Sequence, residues 1–310
     1  MMQDRLTEAL KGHGVDYADI RLEDQTSSWV IFRGAELDSI GSGRIVGGIV
    51  RALYKGGWGY ATFNDLSDLR ARVQEAAEIA RLVGKGETKF APIEPVVEVV
   101  KANMQRDPRS VLLSEKKALA ESYNRIVLGH HPSIQASNVR YGDWFKTQYY
   151  ASSEGTYVEE EIPNVYMYVG ATARRDDIVQ NGFESTGGPE GFQTVLGFED
   201  KARQAAQRAV DLLQAPPVTG GKYTVITDPR MTGVFTHEAF GHLSEADFIS
   251  ENPHMQEVMQ LGKRFGVQGL NILDDGSLPG GLGTHRYDQE GTPMRRNYLV
   301  KDGILVGRLH

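Results

Sequence analysis

Apolar and polar residues alternate along Ala18-Asp19-Ile20-Arg21-Leu22-Glu23 and Ser28-Trp29-Val30-Ile31-Phe32-Arg33. They do so less strictly along Gly47 to Tyr54 and Trp58 to Phe63, which Lys55-Gly56-Gly57 joins. A period of two fits antiparallel strands. The pattern then lengthens. Leu69, Val73, Ala76, Ala77, Ala80 and Val83 fall on one face of a helix that Asn64 or Ser67 can cap and that Gly84 and Gly86 end. After a Pro- and Val-rich linker from Ala91 to about Val100, a second helix is predicted from a cap at Ser114. It carries Leu119, Tyr123, Ile126 and Val127 and stops at Gly129. Strands are predicted again over 134–141, 145–152, 156–162 and 165–174. A glycine-rich loop, 182–191, and a helix from about Glu199 to Leu213 close the pattern before Pro216-Pro217.

With an opening amphipathic helix over Met1 to Leu10, the order of helix, strands, glycine loop and helix recurs in both blocks, and Ala71-Arg72-Val73-Gln74-Glu75-Ala76-Ala77 faintly echoes Ala202-Arg203-Gln204-Ala205-Ala206, which suggests an internal duplication. The expected fold class is α+β, with mainly antiparallel sheets and helices packed on one face. The expected domains are an N-terminal α+β domain over 1–90, a middle one over 108–217 and the start of a third over 222–310. In the third, Tyr223 to Thr227 reads as a short buried strand, and Asp228-Pro229 turns the chain into a helix.

Composition narrows the function. With 40% hydrophobic and 24% charged residues, the 310-residue chain can bury a sizeable core. The N-terminus lacks the apolar stretch of a signal peptide, and no apolar run approaches the roughly 20 residues of a membrane span, so a cytoplasmic protein without membrane contact is expected. The net charge of −7 argues against direct nucleic-acid binding, and Arg174-Arg175 and Arg295-Arg296 are isolated doublets among acidic or polar neighbours. The 182–191 loop fits no phosphate-binding pattern. The absence of cysteine excludes a thiol nucleophile, and no Gly-x-Ser-x-Gly elbow is present.

The candidate chemistry lies in Thr236-His237-Glu238-Ala239-Phe240-Gly241-His242. Two neutral imidazoles can hold a divalent metal such as zinc, and a carboxylate between them can take a proton from a metal-bound water. The histidines stand five residues apart, which on a regular helix separates them by roughly 140° at roughly 100° per residue. A π-bulge or a kink would let them converge, and Gly241 is the residue expected to permit it. The plainer alternative is that both are surface histidines of a helix. Glu245 and Asp247 follow closely and enrich the neighbourhood in potential ligands or orienting groups.

The run His237 to Asp247 resembles the signature of the TldD/PmbA family of metallopeptidases, whose TldD-type members carry H-E-x-x-x-H. The loop from Asp274 to Gly281, the segment Asp288 to Pro293 and the end from Leu299 to His310 resemble family segments as well, so the resemblance spans the chain and is most specific from Lys222 onward. It implies that His237 and His242 are zinc ligands and Glu238 the general base of peptide hydrolysis. It further implies peptides or unfolded protein segments as substrates, and a homodimer or a heterodimer with a PmbA-type subunit. The family's third ligand is a distant cysteine, which this chain lacks. Family chains also continue past the strand, Asp-Gly turn and returning strand read over 297–310, so the C-terminal catalytic domain is expected to be incomplete. Glu245, Asp247, His254, His285 and His310 are the candidates for a substitute ligand. The alternative to a zinc peptidase subunit is a non-catalytic scaffold or partner subunit, inactive for want of that ligand.

Overall fold

A computed structural model describes residues 1–88, 90, 91 and 93–310. Lys89, at the end of the expected first domain, and Pro92, in the expected linker, lie outside the described residues. The chain divides into two compact units, one comprising 1–216 with 280–282 and 286–293, the other 217–279, 283–285 and 294–310.

The first unit begins with helix α1 (Met2–Ala9), then strands β1 (Tyr17–Arg33), β2 (Glu36–Tyr54) and β3 (Gly57–Phe63), then helix α2 (Leu69–Val83). After β4 (Val97–Val100), helix α3 (Leu113–Leu128), strands β5 (Ile134–Ser152), β6 (Tyr157–Arg175) and β7 (Ile178–Gly188), and helix α4 (Glu199–Leu212) repeat that order. The seven strands form one sheet, in the order β3-β2-β1-β5-β6, with β4 and β7 both paired to β6. All pairings are antiparallel except β4 with β6. Strands from 1–90 and 108–217 therefore share a sheet, joined where β1 pairs with β5. The repeated helix, three strands and helix give the internal duplication a structural form.

Side chains alternate across this sheet, and one face is apolar. Ala18 and Ile20 of β1, Val50 and Ala52 of β2 and Ala61 of β3 are buried with Val73, Ala76, Ala77 and Ala80 of α2. Val30 and Phe32 of β1, Val139 and Tyr141 of β5, and Val165, Met167, Val169, Ala171 and Ala173 of β6 are buried with α3 and α4. Two glycines let the helices lie directly on the strands. A Cβ on Gly59 would stand 1.9 Å from the Ala76 carbonyl oxygen, and one on Gly182 would stand 2.1 Å from that of Ala205.

Strand lengths differ from the pattern-based reading. The paired short segments of each block merge, because polar stretches such as Asp24 to Ser27 are hydrogen-bonded to a neighbour on both sides and stay extended. The expected glycine loop at 182–191 is mostly strand, since β7 runs to Gly188 and its glycines make room for α4 and Tyr166. Asp68, rather than Asn64 or Ser67, caps α2 by accepting the Ala71 N–H. Leu112 occupies the N-cap of α3, where Ser114 was expected.

The second unit holds helices α5 (Pro229–Thr236), α6 (Ala246–Glu251) and α7 (Pro253–Val258), and a three-stranded sheet of β8 (Ile272–Asp275), β9 (Arg296–Lys301) and β10 (Ile304–Leu305). Its core gathers Ile249, Met259, Ile272, Leu299, Val300 and Leu305. The β9-β10 turn is Asp302-Gly303, both with positive φ, as a tight hairpin requires. The strand expected at 223–227 does not form: Tyr223 is 60% and Val225 72% exposed, and nothing among the described residues pairs with them. An apolar run becomes a buried strand only when a neighbour takes up its backbone groups and covers its side chains.

Candidate metal centre

Asp228 caps α5 by accepting the Met231 N–H at 2.7 Å, and Pro229 opens the helix with its φ already suited to it. The helix does not end at the motif but widens. His237 to Gly241 form a π turn, in which the His242 N–H bonds to the His237 carbonyl five residues back, and a short 3₁₀ turn, His242–Ser244, follows. Inserting one residue into the turn rotates the later side chains back toward the earlier ones. The two imidazoles, splayed on a regular helix, accordingly meet edge to face with ring centroids 4.6 Å apart.

Packing holds this turn from below. Phe240 and Leu243 lie against the core of the second unit, and Phe240 meets Phe265 edge to face at 5.6 Å. Gly241 has φ −56° and ψ −65°, open to any residue, so its backbone freedom is not what makes the turn, contrary to expectation. A Cβ there would lie 3.4 Å from His237 Nδ1, an ordinary contact, so space does not demand glycine either.

His237, Gly241, His242 and Glu245 line a cavity of about 780 Å³, with Thr227, Asn271 and Asp274 on other walls. Glu245 Oε1 stands 2.9 Å from His242 Nδ1. An ionised carboxylate only accepts, so this contact places the proton on Nδ1 and leaves the Nε2 lone pair free. A carboxylate behind an imidazole is the usual device for orienting a metal-binding histidine. Glu238 is exposed, lies outside the cavity lining and has no hydrogen-bond partner among the described residues.

Of the expected substitute ligands, only Glu245 reaches the cavity; Asp247, His254, His285 and His310 do not line it. Among the described residues no group of three or more His, Asp or Glu is arranged to hold a metal. The donor set thus fits two positions of a zinc shell and leaves the third unfilled. Asp274, which the sequence offered only as part of a loop, also lines the cavity through β8, while the adjacent Asp275 pairs with Arg296 at 2.6 Å. No helix among the described residues is long and apolar enough to cross a membrane.

Comparison with known proteins agrees with this layout. Residues 18–80 match the PmbA/TldA metallopeptidase domain 1, 106–213 the central domain and 220–310 the C-terminal domain of that family. A metalloprotease of Synechocystis is 43% identical over 296 residues, covering 95% of this chain and 64% of its own length. A metalloprotease of Methanocaldococcus jannaschii is 33% identical, covering 95% of this chain and 66% of its own. The chain therefore spans slightly less than two thirds of these relatives. A zinc metalloprotease TldD homolog of Saccharolobus solfataricus is 25% identical over 94% of the chain and 64% of its own. Among solved structures, the fold is shared with a Thermotoga maritima protein described as a candidate modulator of DNA gyrase, at a TM-score of 0.82 and 20% identity over 99% of this chain and 70% of that one. TldE from Thermococcus kodakarensis has a TM-score of 0.72 at 17% identity, covering 100% of this chain and 70% of its own. With three domain models matched in chain order and a relative 43% identical over 95% of this chain, the chain belongs to the PmbA/TldD metallopeptidase family.

Proposed function

We propose that this chain is a zinc-dependent peptidase subunit of the TldD type, acting in the cytoplasm on peptides or unfolded protein segments. The observation that carries the reading is the π turn, which brings histidines five residues apart to a 4.6 Å ring separation beside a cavity. A strained or unusual helical turn is most often kept where function needs its geometry. In this reading His237 and His242 hold the metal, His242 through the nitrogen that Glu245 leaves free, and Glu238 takes the proton from the attacking water. Zinc, when bound, acidifies that water and polarises the peptide carbonyl. An extended peptide lying along a sheet edge would suit the surroundings.

Exposed apolar side chains on the motif helix, Met231, Val234 and Phe235, each more than half exposed, support association with a second copy or with a PmbA-type subunit. The incomplete donor set favours a second reading, a scaffold or partner subunit that carries the motif without hydrolysing peptides. Replacing Glu238 by Gln separates the two. In the peptidase, Glu238→Gln abolishes turnover of an unfolded protein substrate and leaves zinc content unchanged. Turnover that survives the substitution rules out Glu238 as the base, and absence of turnover in the unaltered protein supports the scaffold.

A further inference from the structure

The segment 286–293 crosses the face of the seven-stranded sheet opposite the helices. Asp288 Oδ1 accepts the N–H groups of Glu290 and Thr292, both at 2.8 Å, which folds the segment into a turn. Gly291 follows with φ +78°, and a Cβ there would stand 2.9 Å from Tyr150. The turn places the Glu290 carboxylate between two guanidiniums of adjacent strands: Oε1 lies 2.9 Å from Arg21 and 3.0 Å from Arg51. Behind them stands Asp19, fully buried, which takes Arg51 at 2.6 Å and the Tyr17 hydroxyl at 2.9 Å.

The charge count at this point is two guanidiniums against two carboxylates, one of them in a loop. If Glu290 departs, Arg21 and Arg51, with side chains 21% and 18% exposed, share Asp19 alone and carry a net positive charge in a half-buried place. Arg21 Nε is buried without a hydrogen-bond partner, so the fork retains an unused donor. Paired guanidiniums of fixed geometry are suited to a carboxylate. The neighbouring surface is aromatic. Arg51 lies 5.1 Å from the ring centre of Trp58, which stacks with Tyr60 at 6.2 Å and meets Phe90 at 5.8 Å. Tyr60 is 50% and Phe90 43% exposed, more than a purely structural cluster needs.

We propose that Arg21 and Arg51 form a carboxylate-binding site walled by Trp58, Tyr60 and Phe90, which Glu290 fills in cis. Its ligand is a carboxylate adjoining an apolar or aromatic group, the combination offered by the C-terminal residue of a peptide. Glu290 competes for the site at the high effective concentration of a tethered group. The loop keeps its other anchors, Tyr287 to Glu98 and the Arg286 N–H to Glu160 at 2.7 Å, when the carboxylate leaves. The choice of a peptide terminus rests on the peptidase reading, but the test needs neither metal nor turnover, so its failure leaves the histidine pair untouched.

The test is calorimetric titration of the full chain and its Glu290→Ala variant with three probes. These are N-acetylphenylalanine, its uncharged amide, and the α-amide of N-acetylglutamate, whose carboxylate sits on a side chain. Glu290 is 58% exposed, and circular dichroism of the variant serves as the check that it folds. N-acetylphenylalanine is expected to bind Glu290→Ala at least about tenfold more tightly than the unaltered chain, and more tightly than either other probe. Adding Arg21→Leu, which leaves Asp19 its contacts with Arg51 and Tyr17, removes that binding. The proposal is overturned if Glu290→Ala binds no carboxylate, if acid and amide bind alike, or if binding survives Arg21→Leu. Equal binding of the glutamate probe overturns the aromatic wall.

Discussion

Lys116 donates to Asp143 at 2.7 Å and to Ser28 at 2.8 Å, and Tyr141 donates to the same Asp143 oxygen, all within the buried interior. With the two charged side chains 4% and 5% exposed, removing one partner strands the other. Lys116→Met should therefore cost about 3 kcal/mol or more, measured by urea unfolding, and Asp143→Asn added to it should recover part of the loss. At Glu290, burial raises the carboxyl's affinity for protons, but the hydrogen bonds from Arg21 and Arg51 outweigh it and hold the pKa below the ordinary glutamate value. A carboxyl whose folded value is depressed contributes stability that is complete above its unfolded value and lost as pH falls through the folded one. The stability difference between the unaltered chain and Glu290→Gln should thus be constant well above the ordinary value of about 4.3 and shrink as pH falls below it. Neither cluster was legible in the sequence. Each joins residues far apart in the chain through sheet register, and alternation alone leaves register open.

Helices and strands were legible where composition and geometry agree. The apolar stripes of α2 and α4 mark the faces that now lie on the sheet, and the turn residues Gly84, Gly129 and Asp302-Gly303 stand where elements end or reverse. What was not legible is continuity. Polar residues in the middle of β1 broke the alternation into two short segments, although the backbone pairs along all 17 residues. Gly182 belongs to the same lesson. It read as part of a loop, yet it serves as the flat surface on which α4 rests, as Gly59 does for α2. Gly59→Ala and Gly182→Ala should each lower stability by about 1–3 kcal/mol, by similar amounts if the two halves are equivalent, whereas Gly86→Ala, which meets nothing within 4 Å, should be near neutral in thermal denaturation. The motif turn lies between these cases. Five-residue spacing flagged a departure from the regular helix, but which departure depended on Phe240 and Leu243 finding the core.

At the scale of the molecule, the two compact units divide the work differently from their sequences. The first buries apolar side chains on one sheet face, while the second leaves much of its apolar content open near the motif, with Ile226 fully exposed and Phe235 64% exposed. A surface of that kind predicts self-association or capture by a PmbA-type chain. Light scattering at rising concentration should show a species of at least twice the 34.3 kDa chain mass, and Phe235→Glu should return it to one chain. The chemistry of the motif, however, turns on the metal. Zinc content of the purified chain after extensive dialysis, measured by elemental analysis beside His237→Ala and His242→Ala, tests it most directly. Close to one zinc per chain, lost in both variants, is the predicted result. Zinc at background in the unaltered chain, or zinc retained when either histidine is gone, would mean that His237 and His242 do not hold a metal.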